Sequence, residues 1–79
     1  MNDAQLKWQC RRGMRELDLL LTTYLENAYP QASESKKRAF RELLALADPR
    51  LYDYLLGGQM PGDAALASVV SEIRDRSNA

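Results

Sequence analysis

Histidine is missing from this chain of 79 residues, and cysteine and tryptophan each occur once. Without histidine or a cysteine cluster, the sequence lacks the usual ligands of a zinc site and the parts of a cysteine–histidine nucleophile. The single Cys10 cannot form an internal disulfide, and its apolar neighbours favour a small core residue. The alternative is a reactive thiol, because Arg11 and Arg12 follow it and positive charge lowers the pKa of a thiol.

Net charge and long apolar runs are missing as well. Eleven Lys and Arg residues balance eleven Asp and Glu residues, so no overall field attracts nucleic acid or a membrane surface. No run of about 18 apolar residues predicts a membrane span, and the N-terminus lacks the basic and apolar segments of a secretory signal. We therefore expect a cytoplasmic protein with no membrane span, folded as a single domain over residues 1–79.

Apolar residues recur at helical spacing through most of the chain, which predicts an all-α bundle of five short helices. We expect these at about residues 3–12, 15–27, 35–47, 50–56 and 64–74, with a frayed tail at 75–79. The clearest stripe lies on the second helix, and shorter ones lie on the third and fifth. The predicted core comprises Leu17, Leu20, Leu21, Tyr24, Leu25, Ala28, Phe40, Leu43, Leu44, Ala47, Leu66, Val69, Val70 and Ile73.

Several residues have the chemistry of helix ends. Asn2 or Asp3 can cap the first helix, Ser33 or Ser35 the third, and Asp63 the fifth. Asp48 followed by Pro49 reads as an N-cap and first position of the fourth helix. The basic residues at 36–41 lie on the third helix, either as a solvated face or as a surface for an acidic partner.

The stretch from Cys10 to Asp18 organises the chain. Gly13 lies between two apolar-periodic runs, where it can take the left-handed conformation that ends a helix. Glu16 follows Arg12 by four positions, so the two side chains can pair around the corner. One interpretation is a structural corner with a surface ion pair; the other is a docking surface whose guanidinium groups bind a partner.

The string Arg12-Gly13-x-x-Glu16, flanked by Trp8, Arg11 and Asp18, resembles the RGxxE signature of the flavinator family. The members of this family are the bacterial FAD assembly factors of succinate dehydrogenase, which are related to a mitochondrial assembly factor. A second segment resembles the family too: Asp48-Pro49 followed by Leu51-Tyr52 and Leu55. The resemblance covers nearly the whole chain.

The resemblance implies a chaperone-like protein and not an enzyme. Such a protein binds the flavoprotein subunit of succinate dehydrogenase, with fumarate reductase as a further candidate, and promotes covalent attachment of FAD to a histidine of that subunit. FAD then belongs to the partner, and this chain binds no cofactor stably. We expect a monomer when free. The predicted partner-binding residues are Trp8, Arg11, Arg12, Gly13, Glu16, Asp18, Asp48, Pro49 and Tyr52.

Within this set, Arg12 is expected to donate to partner carbonyls or carboxylates, and Glu16 to hold Arg12 or to accept from the partner. For Asp48, Pro49 and Tyr52 the alternative is a helix cap and packing. Trp8 lies off the face shared by Leu6 and Cys10, so it is either packed on another element or exposed at a contact surface.

Two other functions stay open. Some members of this family have been described as antitoxins, which neutralise a membrane-associated toxin. A small helical nucleic-acid-binding protein is the third possibility, because basic helices at a corner resemble a helix-turn-helix unit, although the neutral composition argues against it.

Overall fold

The computed structural model describes residues 3–77 and confirms the all-α prediction. Five α-helices make up the described chain, with a short 3₁₀ turn at Tyr29–Gln31. The helices are α1 (Asp3–Gln9), α2 (Arg15–Asn27), α3 (Glu34–Leu44), α4 (Asp48–Leu55) and α5 (Ala64–Ser77). α3 packs along α5, and α2 contacts α1, α4 and α5.

The core follows the predicted stripes with three exceptions, which are Leu20, Leu66 and the exposed Ala47. Leu17, Leu21, Tyr24 and Leu25 of α2 are buried, and so are Phe40, Leu43 and Leu44 of α3. Val69, Val70 and Ile73 form the buried face of α5. Leu20 and Leu66 are only partly buried, although both pack against the core.

Phe40 lies at the centre of the bundle. Its side chain is fully buried, and its ring centroid is 4.9 Å from that of Tyr24 and 5.4 Å from that of Tyr29. Both contacts are tilted, which suits the quadrupoles of aromatic rings. One α3 side chain therefore joins α2 and the 3₁₀ turn to the core.

Two of the predicted caps are confirmed. The Lys36 N–H donates to Ser33 Oγ at 3.2 Å, and the Leu66 N–H donates to Asp63 Oδ1 at 3.0 Å. Each cap satisfies one of the N–H groups that the first turn of a helix leaves unpaired. Ser33, and not Ser35, is thus the N-cap of α3.

Some predicted boundaries were wrong. α3 ends at Leu44, so Ala47 lies outside it and is exposed. α4 begins at Asp48, with Ala47 in the N-cap position and no side-chain cap bond. The predicted fraying does not include residues 75–77, which continue α5. Residues 78–79 and the predicted cap Asn2 lie outside the described residues.

Candidate partner-binding surface

Gly13 forms the corner between α1 and α2. Its φ is +78°, in the left-handed region that glycine enters at little cost. α1 closes with Cys10 N–H and Arg11 N–H donating back to Leu6 O and Trp8 O. The corner predicted from the sequence is therefore confirmed, together with the backbone conformation that only glycine takes easily.

Replacing Gly13 by alanine is expected to lower the free energy of unfolding by about 1–2 kcal/mol, which is the steric cost of left-handed backbone for a residue with a Cβ. A Cβ built at Gly13 meets nothing within 4 Å, so the cost is conformational and not a clash. Asparagine tolerates this conformation better, so Gly13→Asn should lose less. Urea denaturation measures both; equal stability of wild type and Gly13→Ala would contradict the prediction.

Asp18 fastens the corner from the side of α2. Its Oδ1 accepts from the Arg12 backbone N–H at 2.7 Å. Asp18 lies in the first turn of α2, where a negative charge is favourable to the helix dipole. Asp18 is half-buried, so this predicted site residue has an internal structural partner.

The Arg12 side chain points inward and joins two corners of the fold. Its Nε donates to Gln9 O at 2.8 Å, and its Nη1 donates to Leu46 O at 3.2 Å and to Asp48 Oδ1 at 3.3 Å. Its Nη2 donates to Leu44 O. The last carbonyl of α3, that of Leu44, and the carbonyl of Leu46 in the following loop thus receive a guanidinium at the negative end of the helix. We call this set of contacts the Arg12 clasp.

The predicted ion pair between Arg12 and Glu16 is wrong. The acid beside Arg12 is Asp48, and the Arg12 side chain is only 16% exposed. The Glu16 side chain is exposed and has no hydrogen bond or ion pair within the described residues. The two charged residues of the motif therefore have different surroundings: the Arg12 side chain contacts other residues of this chain, and the Glu16 side chain faces solvent.

Cys10 lies beneath the corner and is fully buried. Burial raises the pKa of its thiol from 9.0 to about 11, the Arg12 guanidinium lowers it, and the Asp18 carboxylate raises it. The desolvation that opposes the thiolate outweighs the nearby guanidinium. Of the two alternatives for Cys10, the structure therefore favours the core residue over the reactive thiol.

We expect a thiol reagent at pH 8 to modify native Cys10 at least about tenfold more slowly than the urea-unfolded chain, because the raised pKa lowers the thiolate fraction at this pH and burial blocks access. Absorbance of the released chromophore of a disulfide reagent measures both rates. Comparable rates for the folded and unfolded chains would show that the thiol is accessible and that folding does not suppress its reactivity.

Trp8, on the outer face of α1, and Arg11, just after the end of α1, lie beside one another at the surface. Trp8 is 74% exposed, which decides between its two predicted placements in favour of exposure. Ala4, Lys7, Trp8 and Arg11 line one shallow hollow. An indole beside two cations is a surface that can contact an acidic and apolar partner, since tryptophan and arginine are frequent anchors of protein interfaces.

The three predicted site residues of the second segment lie in two different environments. Asp48 joins the Arg12 clasp, while Pro49 is exposed and Tyr52 is 45% exposed on α4. The prediction that Asp48 caps α4 through its side chain is wrong, because that carboxylate contacts Arg12 instead.

Most of the basic cluster of α3 has partners within the protein. Lys36 Nζ lies 3.1 Å from Glu72 Oε2, and Arg41 Nη1 donates to Tyr29 Oη at 2.9 Å. Lys37 Nζ lies 5.6 Å from the centre of the Tyr29 ring. These contacts favour a solvated structural face over a surface for an acidic partner.

One surface near the motif was not predicted from the sequence. Leu19, Leu20 and Leu56 form a hollow at whose edge Glu16 lies. Leu19 is 66% exposed. The sequence did carry a signal, because Leu19 is apolar but does not belong to the buried stripe of α2. We call these four residues the Glu16 hollow.

Comparison with known proteins assigns the family. Residues 4–77 match the family described as flavinator of succinate dehydrogenase. The chain belongs to this family. Membership confirms the resemblance that the RGxxE string suggested.

Individual relatives of the flavinator family cover nearly the same length. A protein named FAD assembly factor SdhE from Shewanella oneidensis is 39% identical over 77 residues, which are 98% of this chain and 94% of the relative. The protein of the same name from Yersinia pseudotuberculosis is 40% identical over 78 residues, 99% of this chain and 89% of the relative. That from Pectobacterium atrosepticum is 40% identical over 76 residues, with 96% and 86% covered.

The described part of the chain adds two observations. Among its helices, none has the length and apolar character needed to cross a membrane. Over the same residues, no three carboxylate or thiol side chains are grouped in a way that could hold a metal ion.

Proposed function

We propose that this chain binds the flavoprotein subunit of succinate dehydrogenase, and related fumarate reductase subunits, and promotes covalent attachment of FAD to that subunit. Membership of the flavinator family and relatives named FAD assembly factor support the proposal. The chain contains no histidine, so the histidine that receives the flavin belongs to the partner. The chain acts in the cytoplasm as a binding protein and not as an enzyme, and holds no FAD of its own.

The structural observation that carries the proposal is the exposed Glu16 on a rigid corner. Gly13, Asp18 and the Arg12 clasp fix the backbone from which Glu16 projects. A charged side chain on such a support loses little conformational freedom when it binds, which favours affinity. Trp8 on α1 and Arg11 just after it offer a further contact.

The physical role we assign is preorganisation of the partner. A protein that binds one conformation of the flavoprotein more tightly than the others raises the population of that conformation. If the favoured conformation holds FAD and the histidine at reacting distance, the covalent step accelerates without any catalytic group from this chain.

The test measures covalent flavin on the flavoprotein subunit by in-gel fluorescence in cells with and without this gene. We expect deletion of the gene to lower the covalent-flavin signal and the wild-type gene to restore it. With the Glu16→Ala gene, the signal should stay at least about tenfold below the wild-type level. Glu26→Ala is the matched control, since Glu26 is also exposed on α2 and lies outside the predicted site; it should restore the signal fully.

Two results would contradict the proposal. An unchanged flavin signal in the deletion strain would remove the assembly role altogether. Full rescue by Glu16→Ala, with the variant protein present at wild-type level, would leave the role in place but remove Glu16 from it.

A further inference from the structure

The Glu16 hollow leaves apolar side-chain surface exposed to solvent. Leu19 is the second most exposed large apolar side chain of the described chain, after Trp8. Burying apolar surface is favourable by roughly 25 cal/mol for each Å², and Leu19 gains little of this in the free protein. A partner that covers Leu19 would recover that free energy.

The hollow continues along α2 into a second groove. Leu19 and Leu20 line both, and the second groove adds Thr23, Tyr24, Ile73 and Arg76 as lining residues. Together they form a strip between α2, α5 and the end of α4. Glu16 lies at one end of the strip, and Arg76, whose guanidinium is 3.8 Å from the Glu72 carboxylate, lies at the other.

The strip is too small to hold a partner by itself. Glu16 and Thr23 are seven residues apart, which is about 10 Å along a helix, whereas a stable interface buries about 800 Å² on each side. A second copy of the chain held by this strip alone would therefore dissociate. The strip is more consistent with part of a larger interface that also includes the Gly13 corner next to Glu16.

The charges indicate what covers it. Glu16 has no ion pair within the described residues, unlike Arg12, whose guanidinium is occupied by the clasp. A carboxylate beside an apolar hollow is complementary to an apolar side chain that has a cationic neighbour.

We propose that the Glu16 hollow receives an apolar side chain of the flavoprotein subunit, and that a lysine or arginine next to it in that subunit pairs with Glu16. This rests on the proposed function and adds to it the residues Leu19, Leu20 and Leu56, together with the chemistry of the opposing surface. The apolar contact supplies affinity, and the ion pair supplies orientation.

The experiment is isothermal titration calorimetry of the full chain against the purified FAD-loaded flavoprotein subunit, at low and high salt. Leu19→Ser tests the hollow, and Met60→Ser is its control because Met60 is also an exposed apolar residue, at 49%. Glu16→Gln tests the ion pair, and Glu26→Gln is its control. Circular dichroism of all four variants checks that each is folded.

We expect Leu19→Ser to weaken binding by about tenfold to a hundredfold at both salt concentrations, because it removes an apolar anchor. Glu16→Gln should weaken binding mainly at low salt, since salt screens an ion pair, and its dissociation constant should depend less on salt than that of the wild type. Both controls should bind like the wild type.

Three outcomes overturn the inference. If Leu19→Ser binds as tightly as Met60→Ser while Glu16→Gln binds weakly, the proposed function survives and the hollow does not take part. If the wild-type chain is a dimer by sedimentation and Leu19→Ser is a monomer, a second copy covers the hollow instead. If the wild-type chain does not bind the subunit, both the proposed function and this inference fail.

Discussion

Replacing Arg12 by alanine is expected to lower the free energy of unfolding by about 3 kcal/mol, because hydrogen bonds from a charged donor to partly buried acceptors contribute about 1.5–3 kcal/mol and Arg12 makes several. The variant leaves Leu44 O and Leu46 O without their guanidinium donor. It also separates the α1–α2 corner from the loop between α3 and α4. Urea denaturation followed by circular dichroism measures the change.

Two further variants test which contacts of Arg12 account for this loss of stability. Asp48→Asn should cost less than about 1 kcal/mol, because the Asp48 side chain is 44% exposed and exposed ion pairs contribute little. Arg50→Ala is the matched control: Arg50 is exposed and its hydrogen bond, to Tyr54 Oη, is long at 3.5 Å. If Arg12→Ala and Arg50→Ala unfolded at the same urea concentration, the clasp would contribute nothing, and Arg12 would be free to bind a partner as the sequence suggested.

Replacing Phe40 by alanine is expected to have the largest effect on stability, a loss of about 3–5 kcal/mol. The substitution removes the ring that Tyr24 and Tyr29 contact and leaves a cavity at the centre of the bundle. A domain of this size has a total stability of about 4–12 kcal/mol, so the variant should lose a large part of its cooperative unfolding transition at room temperature.

Phe40→Leu separates the cavity from the loss of aromatic contact. Leucine keeps most of the apolar volume, so the loss should be about 1–2 kcal/mol. Leu19→Ala serves as the control on an exposed leucine and should change stability by less than about 0.5 kcal/mol. A Phe40→Ala protein that melts at the wild-type temperature would show that the centre of the core lies elsewhere.

Features set by neighbouring residues could be read from the sequence. Ser33 and Asp63 cap helices through contacts that span three residues, and Gly13 ends a helix between two periodic runs. The end of α5 was predicted wrongly. The acidic and basic tail looked frayed, yet Arg74 and Arg76 suit the negative end of a helix, and Arg76 lies 3.8 Å from Glu72, four positions earlier.

The candidate site was only partly readable. The RGxxE string identified the family, but its spacing suggested that Arg12 and Glu16 pair with each other. Two of the acceptors of Arg12 are backbone carbonyls 32 and 34 positions away, and a carbonyl carries no signal of residue type. Asp48 was ambiguous for a related reason, because an aspartate before a proline suits both a helix cap and a distant ion pair.

The exposure of Trp8 has a practical consequence for spectroscopy. As the single tryptophan of the chain, it is the only source of indole emission, and its ring already lies mostly in water. Denaturation will therefore change the emission wavelength little, so unfolding is better followed by circular dichroism. The same property makes the indole a reporter of docking: a shift of its emission to the blue on addition of a partner without tryptophan would register the covering of α1 and not the folding of the bundle.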